Sequence, residues 1–230
     1  MLYPESTMSL SEHQPATGRT APHYTVGEEV ANAVSHGLGC CLSIAALVLL
    51  IVRAVQHGGG ARLAAALFMG ITLIVEYLFS TLYHAIQPKR AKAVLRVLDH
   101  AGIYLLIAGS YAPFALVTLR DYGGLGLFVA VGSLALVGVT AEALLRERQP
   151  GWTTTLVYLA MGWAVILRLD VLRALLAPPA FWLLLAGGLC YTAGCAFYAL
   201  NKVRYMHFVF HLFVLAGSVC ITLSALLFVV

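Results

Sequence analysis

Seven apolar stretches, each about 20 residues long and separated by charged or turn-forming residues, constrain this chain more than any other feature. They run over 30–52, 63–87, 99–119, 122–144, 150–168, 180–200 and 205–228. A helix needs about 20 residues to cross ~30 Å of hydrocarbon, and in lipid the backbone must satisfy its own hydrogen bonds. Continuous runs of this length suit helices rather than the alternating polarity of barrel strands. Turn formers stand between them: Gly58-Gly59-Gly60, Pro88, Gly123-Gly124, Pro150-Gly151 and Pro178-Pro179. The expected fold class is all-α, a polytopic membrane protein whose seven-transmembrane-helix bundle occupies residues 28–230. Residues 1–27, with Pro4, Pro15 and Pro22 and no apolar run, read as a flexible polar tail. The tail lacks the basic start and apolar core of a cleaved leader, so none is expected.

Composition explains why other classes fail. Of the 230 residues 61% are hydrophobic and 10% charged, against about 45–50% and about 25% in soluble domains. Too few polar residues remain to coat a water-facing surface. An ordinary soluble enzyme, a secreted disulfide scaffold and a disordered chain are therefore excluded. The five cysteines (Cys40, Cys41, Cys190, Cys195, Cys220) fall within apolar runs, where they behave as small hydrophobes. Neither disulfides nor cysteine-ligated zinc is expected. The 14 Lys and Arg form no nucleic-acid stripe; the expected partners are membrane lipids, and protein partners stay unspecified.

Those charges instead set topology. Nine lie on the N-terminal side of the bundle: Arg19, Lys89, Arg90, Lys92, Arg96, Arg146, Arg148, Lys202 and Arg204. Five lie opposite: Arg53, Arg62, Arg120, Arg168 and Arg173. The N-terminus is expected in the cytoplasm and the C-terminus outside.

Polar residues are costly in a bilayer, so those present carry information. The first stretch is preceded by Glu29 and contains Asn32 and His36, within about 60° of one another on a helix. The second ends with Ser80-Thr81-Leu82-Tyr83-His84, where a spacing of four puts Ser80 and His84 on one face and Glu76 a turn deeper. The third starts with Asp99-His100, and the seventh with His207-x-x-x-His211. With alternating helix directions all four clusters fall at one membrane depth, although they are up to about 180 residues apart. Two imidazoles at i and i+4 with a third at the same depth suit Zn²⁺, which takes neutral nitrogen ligands and leaves a fourth position for water. Asp99 and Ser80 are placed to hydrogen-bond that water or orient an imidazole.

Plainer roles compete. A single histidine near a helix end is usually interfacial, and Glu29 suits a helix N-terminus through the dipole. His100 follows Asp99 on another face and reads as a loop or packing residue; His13, His23 and His57 read as solvated. Glu142 reads as interfacial, Pro113 as a packing kink, and Glu76 stays open between a helix-packing role and service to the site.

Glu29-x-x-Asn32-x-x-x-His36, Ser80-x-x-x-His84, Asp99 followed by His-Ala-Gly-Ile-Tyr, and His207-x-x-x-His211, in this order, resemble the hemolysin III family. That family is the bacterial branch of the progestin and adipoQ receptors, which include the adiponectin receptors. The resemblance implies a seven-helix bundle in the bacterial cytoplasmic membrane with an intramembrane zinc near its cytoplasmic side. Zinc ligands carry over to His84, His207 and His211, and Asp99 and Ser80 carry over as partners of the zinc-site water. Glu29, Asn32 and His36 are assigned to site support, with His36 the reserve ligand. The family is also grouped with membrane metal-dependent hydrolases, the alkaline ceramidases among them.

Three functions follow for test. One is zinc-dependent hydrolysis of a lipid amide or ester, with Asp99 as general base. The second is a non-enzymatic regulator or sensor of membrane lipid state, in which zinc only staples helices. The third is the lytic, hemolysin activity that the family name denotes.

Overall fold

Residues 24–145, 148, 151–200 and 202–230 are described by the structure, a computed structural model. The tail expected over 1–27 lies outside them except for its last four residues. Of these, Val26 and Gly27 already belong to the first helix. Arg19 and Arg146, counted among the N-terminal-side charges, also lie outside the described residues.

Eight α-helices make up the described chain: α1 (Val26–His57), α2 (Gly60–Ala85), α3 (Lys89–Pro113), α4 (Gly124–Leu145), α5 (Gly151–Trp163), α6 (Leu169–Leu175), α7 (Pro178–Ala199) and α8 (Met206–Phe228). With α5 and α6 counted as one interrupted span, seven are long and apolar enough to cross a membrane. The all-α, seven-span expectation holds. α1 packs on α2 and α8, α2 on α3, α3 on α4, and α7 on α8, while α5 lies against α3 and α7.

Two spans depart from expectation for identifiable reasons. α3 begins at Lys89, ten residues before the apolar stretch, because the basic run is itself helical and turns Lys92 inward. Beyond Pro113 the helix widens into a π turn over Phe114–Thr118, closed by Leu119 N–H to Phe114 O at 2.8 Å. Proline offers no N–H and its ring crowds the preceding turn, so the expected kink takes this form. In the fifth span the α ladder fails over Ala164–Arg168, which is a 3₁₀ turn. Tyr111 of α3 is the cause. Its phenol donates to Met161 O at 2.7 Å and accepts from Val165 N–H at 2.9 Å. A side chain thus occupies the place of one i→i−4 bond.

Lipid-facing and protein-facing surfaces separate cleanly. Val34, Leu38, Leu136, Val137 and Leu144 are exposed, as side chains bathed in acyl chains can be. Lipid supplies no hydrophobic drive for helix association, so close packing and interhelical hydrogen bonds hold the bundle. α7 and α8 touch at Gly187 and Gly217, where a Cβ on either would press on the other's carbonyl at 3.0–3.1 Å. Ser218 on α8 joins Tyr77 of α2 at 2.7 Å and Tyr191 of α7 at 2.8 Å.

Candidate metal centre

The site is assembled from the helix ends that the alternating topology brings together. Thr25 and Glu28 form a capping box at the start of α1, and Glu28 Oε1 also accepts Tyr205 N–H at 2.9 Å. Tyr205 has φ 63°, a left-handed turn that swings the chain into α8. One cap therefore fixes two entries, α1 with its Glu29 stripe and α8 with its histidine pair.

His84, His207 and His211 converge, with one potential ligand atom from each lying within 4.8 Å of the others. All three are buried. The Nε2 atoms of His207 and His211 stand 3.0 Å apart, and His84 Nε2 is buried with no hydrogen-bond partner among the described residues. Tetrahedral zinc with Zn–N near 2.0–2.1 Å spaces its ligands by roughly 3.3 Å, so modest adjustment suffices.

The second ring nitrogens fix the tautomers. Glu29 Oε2 lies 2.6 Å from His84 Nδ1. A carboxylate accepts, so Nδ1 carries the proton and Nε2 keeps its lone pair for the cluster. Ser35 Oγ donates to Asn32 O at 2.9 Å and lies 3.2 Å from His211 Nδ1. Having spent its proton, the hydroxyl accepts from Nδ1–H, and His211 Nε2 also turns its lone pair inward. Carboxylate or hydroxyl support of this sort is what orients metal-bound imidazoles. The donor set therefore fits a borderline-soft divalent ion, and the three histidines form a possible metal site. Glu29 is itself anchored, its Oε1 accepting from Lys92 Nζ at 2.7 Å.

Asp99 and Ser80 line one small pocket together with His207, His211, His36 and Glu76. Ser80 is buried with the Asp99 carboxyl beside it, so the hydroxyl and the carboxyl face the pocket together. Asn32 is fully buried, its Nδ2 3.5 Å from His84 Nδ1. His36 is not among the three converging residues. Its ring stacks flat on His211, with centroids 3.5 Å apart. Tyr24 covers the cluster from the N-terminal side, at 5.0 Å from the His207 ring and 5.7 Å from His84. Burial pushes its phenol well above the usual value, so Tyr24 stays neutral.

Two expectations need correction. Glu142 is not interfacial; it is 1% exposed and lies 3.9 Å from His100 Nδ1. α4 reaches it because Gly138 lets the helix close on Tyr104 of α3. His100 is no loop residue: it belongs to α3 and lines the cavities. Sequence reasoning missed Ser35, Lys92 and Tyr24. Only Ser35 left a signal, since it falls at i+3 from Asn32 on the stripe already recognised.

Next to the histidine pocket lies a larger chamber walled by apolar residues of α3, α5, α7 and α8. Along α7 it reaches from Tyr198 to Phe181, about 25 Å at 1.5 Å per residue. Six residues, His36, Glu76, His100, Ile103, Tyr198 and Phe210, line both spaces.

Seven spans around a buried histidine triad define an integral membrane protein with a possible metal centre. The family model described as "Haemolysin-III related" matches residues 24–222. The chain is 40% identical over 204 residues to "Hemolysin-3" of Bacillus cereus, covering 89% of this chain and 93% of that protein. It is likewise 40% identical over 207 residues to the "Hemolysin-3 homolog" of Bacillus subtilis (strain 168), covering 90% and 97%. The chain belongs to the hemolysin III family.

Proposed function

We propose that this protein is a zinc-dependent hydrolase of lipid amides or esters, working within the bacterial cytoplasmic membrane with its N-terminus in the cytoplasm. One observation carries the proposal: the pocket lined by His207 and His211 of the convergent triad, with Asp99 and Ser80, shares a wall with an apolar chamber long enough for an acyl chain. His84, His207 and His211 would hold the zinc, which supplies Lewis-acid polarisation of a carbonyl and a water with pKa near ~7. The other roles fall to the chain's own groups. Asp99 takes the proton from the attacking water and returns it to the departing amine or alcohol. Ser80 hydrogen-bonds the water or the carbonyl, while Glu29 and Ser35 keep the imidazoles aimed. The chamber takes the hydrocarbon and keeps bulk water from the reacting carbonyl.

The orientation is supported by the excess of Lys and Arg on the histidine side. Reporter fusions after Arg204 and after Val230 should report cytoplasm and exterior respectively; the opposite pattern reverses the model. The chemistry is tested by fatty-acid release from long-chain amide and ester lipids at saturating zinc. Wild type should turn over in a metal-dependent way, and Asp99→Asn should lose about 10²–10⁴-fold in rate with zinc still bound. A wild type silent across the panel, yet unfolding when zinc is stripped, would instead favour the structural staple.

A further inference from the structure

The neck between the histidine pocket and the chamber holds two groups that this hydrolysis does not use. Glu76 and His36 line both spaces, and each is only 2% exposed. Among the described residues, Glu76 Oε2 and both ring nitrogens of His36 have no hydrogen-bond partner. Elsewhere in the chamber wall polar groups are satisfied. Ser110 donates to Leu106 O at 2.8 Å, Thr192 to Gly188 O at 2.8 Å and Tyr111 to Met161 O at 2.7 Å. Trp163 donates to Thr192 at 2.9 Å.

Both neck groups are held by packing. A Cβ at position 102 would overlap the Glu76 carboxyl, so glycine there is what admits it. His36 is clamped between its stack on His211 and an edge contact with Tyr77 at 4.9 Å. Rigid placement with free polar atoms is how a protein prepares to read a ligand group.

Position along the bundle says which group. Glu76 lies one turn beyond Ser80 and two turns beyond His84 on α2, about 6 and 12 Å toward the chamber. A chain whose carbonyl sits beside Ser80 and Asp99 must pass Glu76 and His36 within its first few carbons. Bare methylenes there would leave buried polar atoms unpaired, and sites built to bond a substrate hydroxyl discriminate strongly against analogues that lack it. We propose that Glu76 and His36 form a hydroxyl-recognition subsite that selects acyl chains hydroxylated on the carbons next to the carbonyl. The hydroxyl donates to Glu76 Oε2 and accepts from an N–H of His36. This inference rests on the chamber being the acyl site, as the proposed function holds.

The test is equilibrium displacement of a fluorescent polyene fatty acid from the purified, metal-replete protein. The competitors are 3-hydroxytetradecanoic and tetradecanoic acids, and the readout is binding, not turnover. Wild type should favour the hydroxylated acid by at least about tenfold. Glu76→Leu should bring the two within about twofold of each other, weakening the hydroxy acid and strengthening the plain one. Glu76→Gln, which still hydrogen-bonds, should keep a preference, and His36→Phe, which keeps the stack, should reduce it. If Glu76→Leu fails to fold, the contrast between Glu76→Gln and His36→Phe decides. Equal affinities in wild type would overturn the subsite, as would a preference unchanged in both folded Glu76→Leu and His36→Phe. Failure of both acids to displace the probe would overturn the acyl chamber and the subsite with it. A clear preference without any hydrolysis would leave the subsite standing and remove only the enzyme.

Discussion

Around the histidines the orienting side chains have themselves been oriented: Lys92 holds Glu29, Glu29 holds His84, and the Asn32 carbonyl engages Ser35, which holds His211. In the chamber next door the wall is mostly apolar, and the hydroxyls of Ser110 and Thr192 are turned back onto the helices that carry them. The two spaces share six wall residues yet follow opposite rules. One is specified atom by atom, and the other by shape. A pocket built from directional bonds should fail when single atoms change, whereas a chamber built from dispersion and shape should tolerate most apolar exchanges of similar volume.

The comparison breaks most sharply at the pair in α8. His207→Ala with His211→Ala should abolish metal binding, measured as zinc per purified chain, with content falling from about one to near zero while the bundle remains helical. Retained stoichiometric zinc would show that the atom-by-atom rule has been applied to the wrong atoms. Glu29→Ala comes next. Removing the carboxylate that fixes the His84 tautomer should weaken metal affinity by about 10–100-fold, read by competition with a chelator of known affinity. Tyr111→Phe probes the other region. It deletes the phenol that bridges Met161 and Val165, and should cost about 1 kcal/mol of stability in detergent-driven unfolding with metal affinity unchanged. A loss of metal in that variant would mean that the two spaces are not independent. Lys92→Met should have the smallest effect. Its ion pair with Glu29 is partly open to solvent, and such pairs are worth up to about 1 kcal/mol, so affinity should fall no more than about fivefold.

What could be read from the sequence divides along a physical line. The seven spans were legible because the bilayer imposes a length on each hydrophobic run, and no partner helix is needed to see it. The convergence of His84, His207 and His211 was legible because alternating helix direction converts sequence position into depth. Lys92 was not, since nothing in a basic run says which lysine turns inward. The 3₁₀ break at Ala164–Arg168 was invisible because its cause, Tyr111, lies on another helix about 50 residues earlier. Glu142 was misplaced for the same reason: its burial depends on Gly138 admitting Tyr104, a contact between helices. Periodicity and length report on one helix and its solvent, and interactions between helices need coordinates.

Tyr24 deserves a practical reading. It lies just ahead of the Thr25–Glu28 box, in contact with His84 and His207, and Glu28 in turn holds the entry to α8. Shortening the chain from its N-terminal end therefore meets a sharp limit at Tyr24. A chain that begins at Tyr24 still carries the cover, the cap and the α8 anchor. Removing two residues more would uncover the imidazoles and loosen the helix that carries two of them, so an inactive protein trimmed to that point would be an artefact of where it was cut.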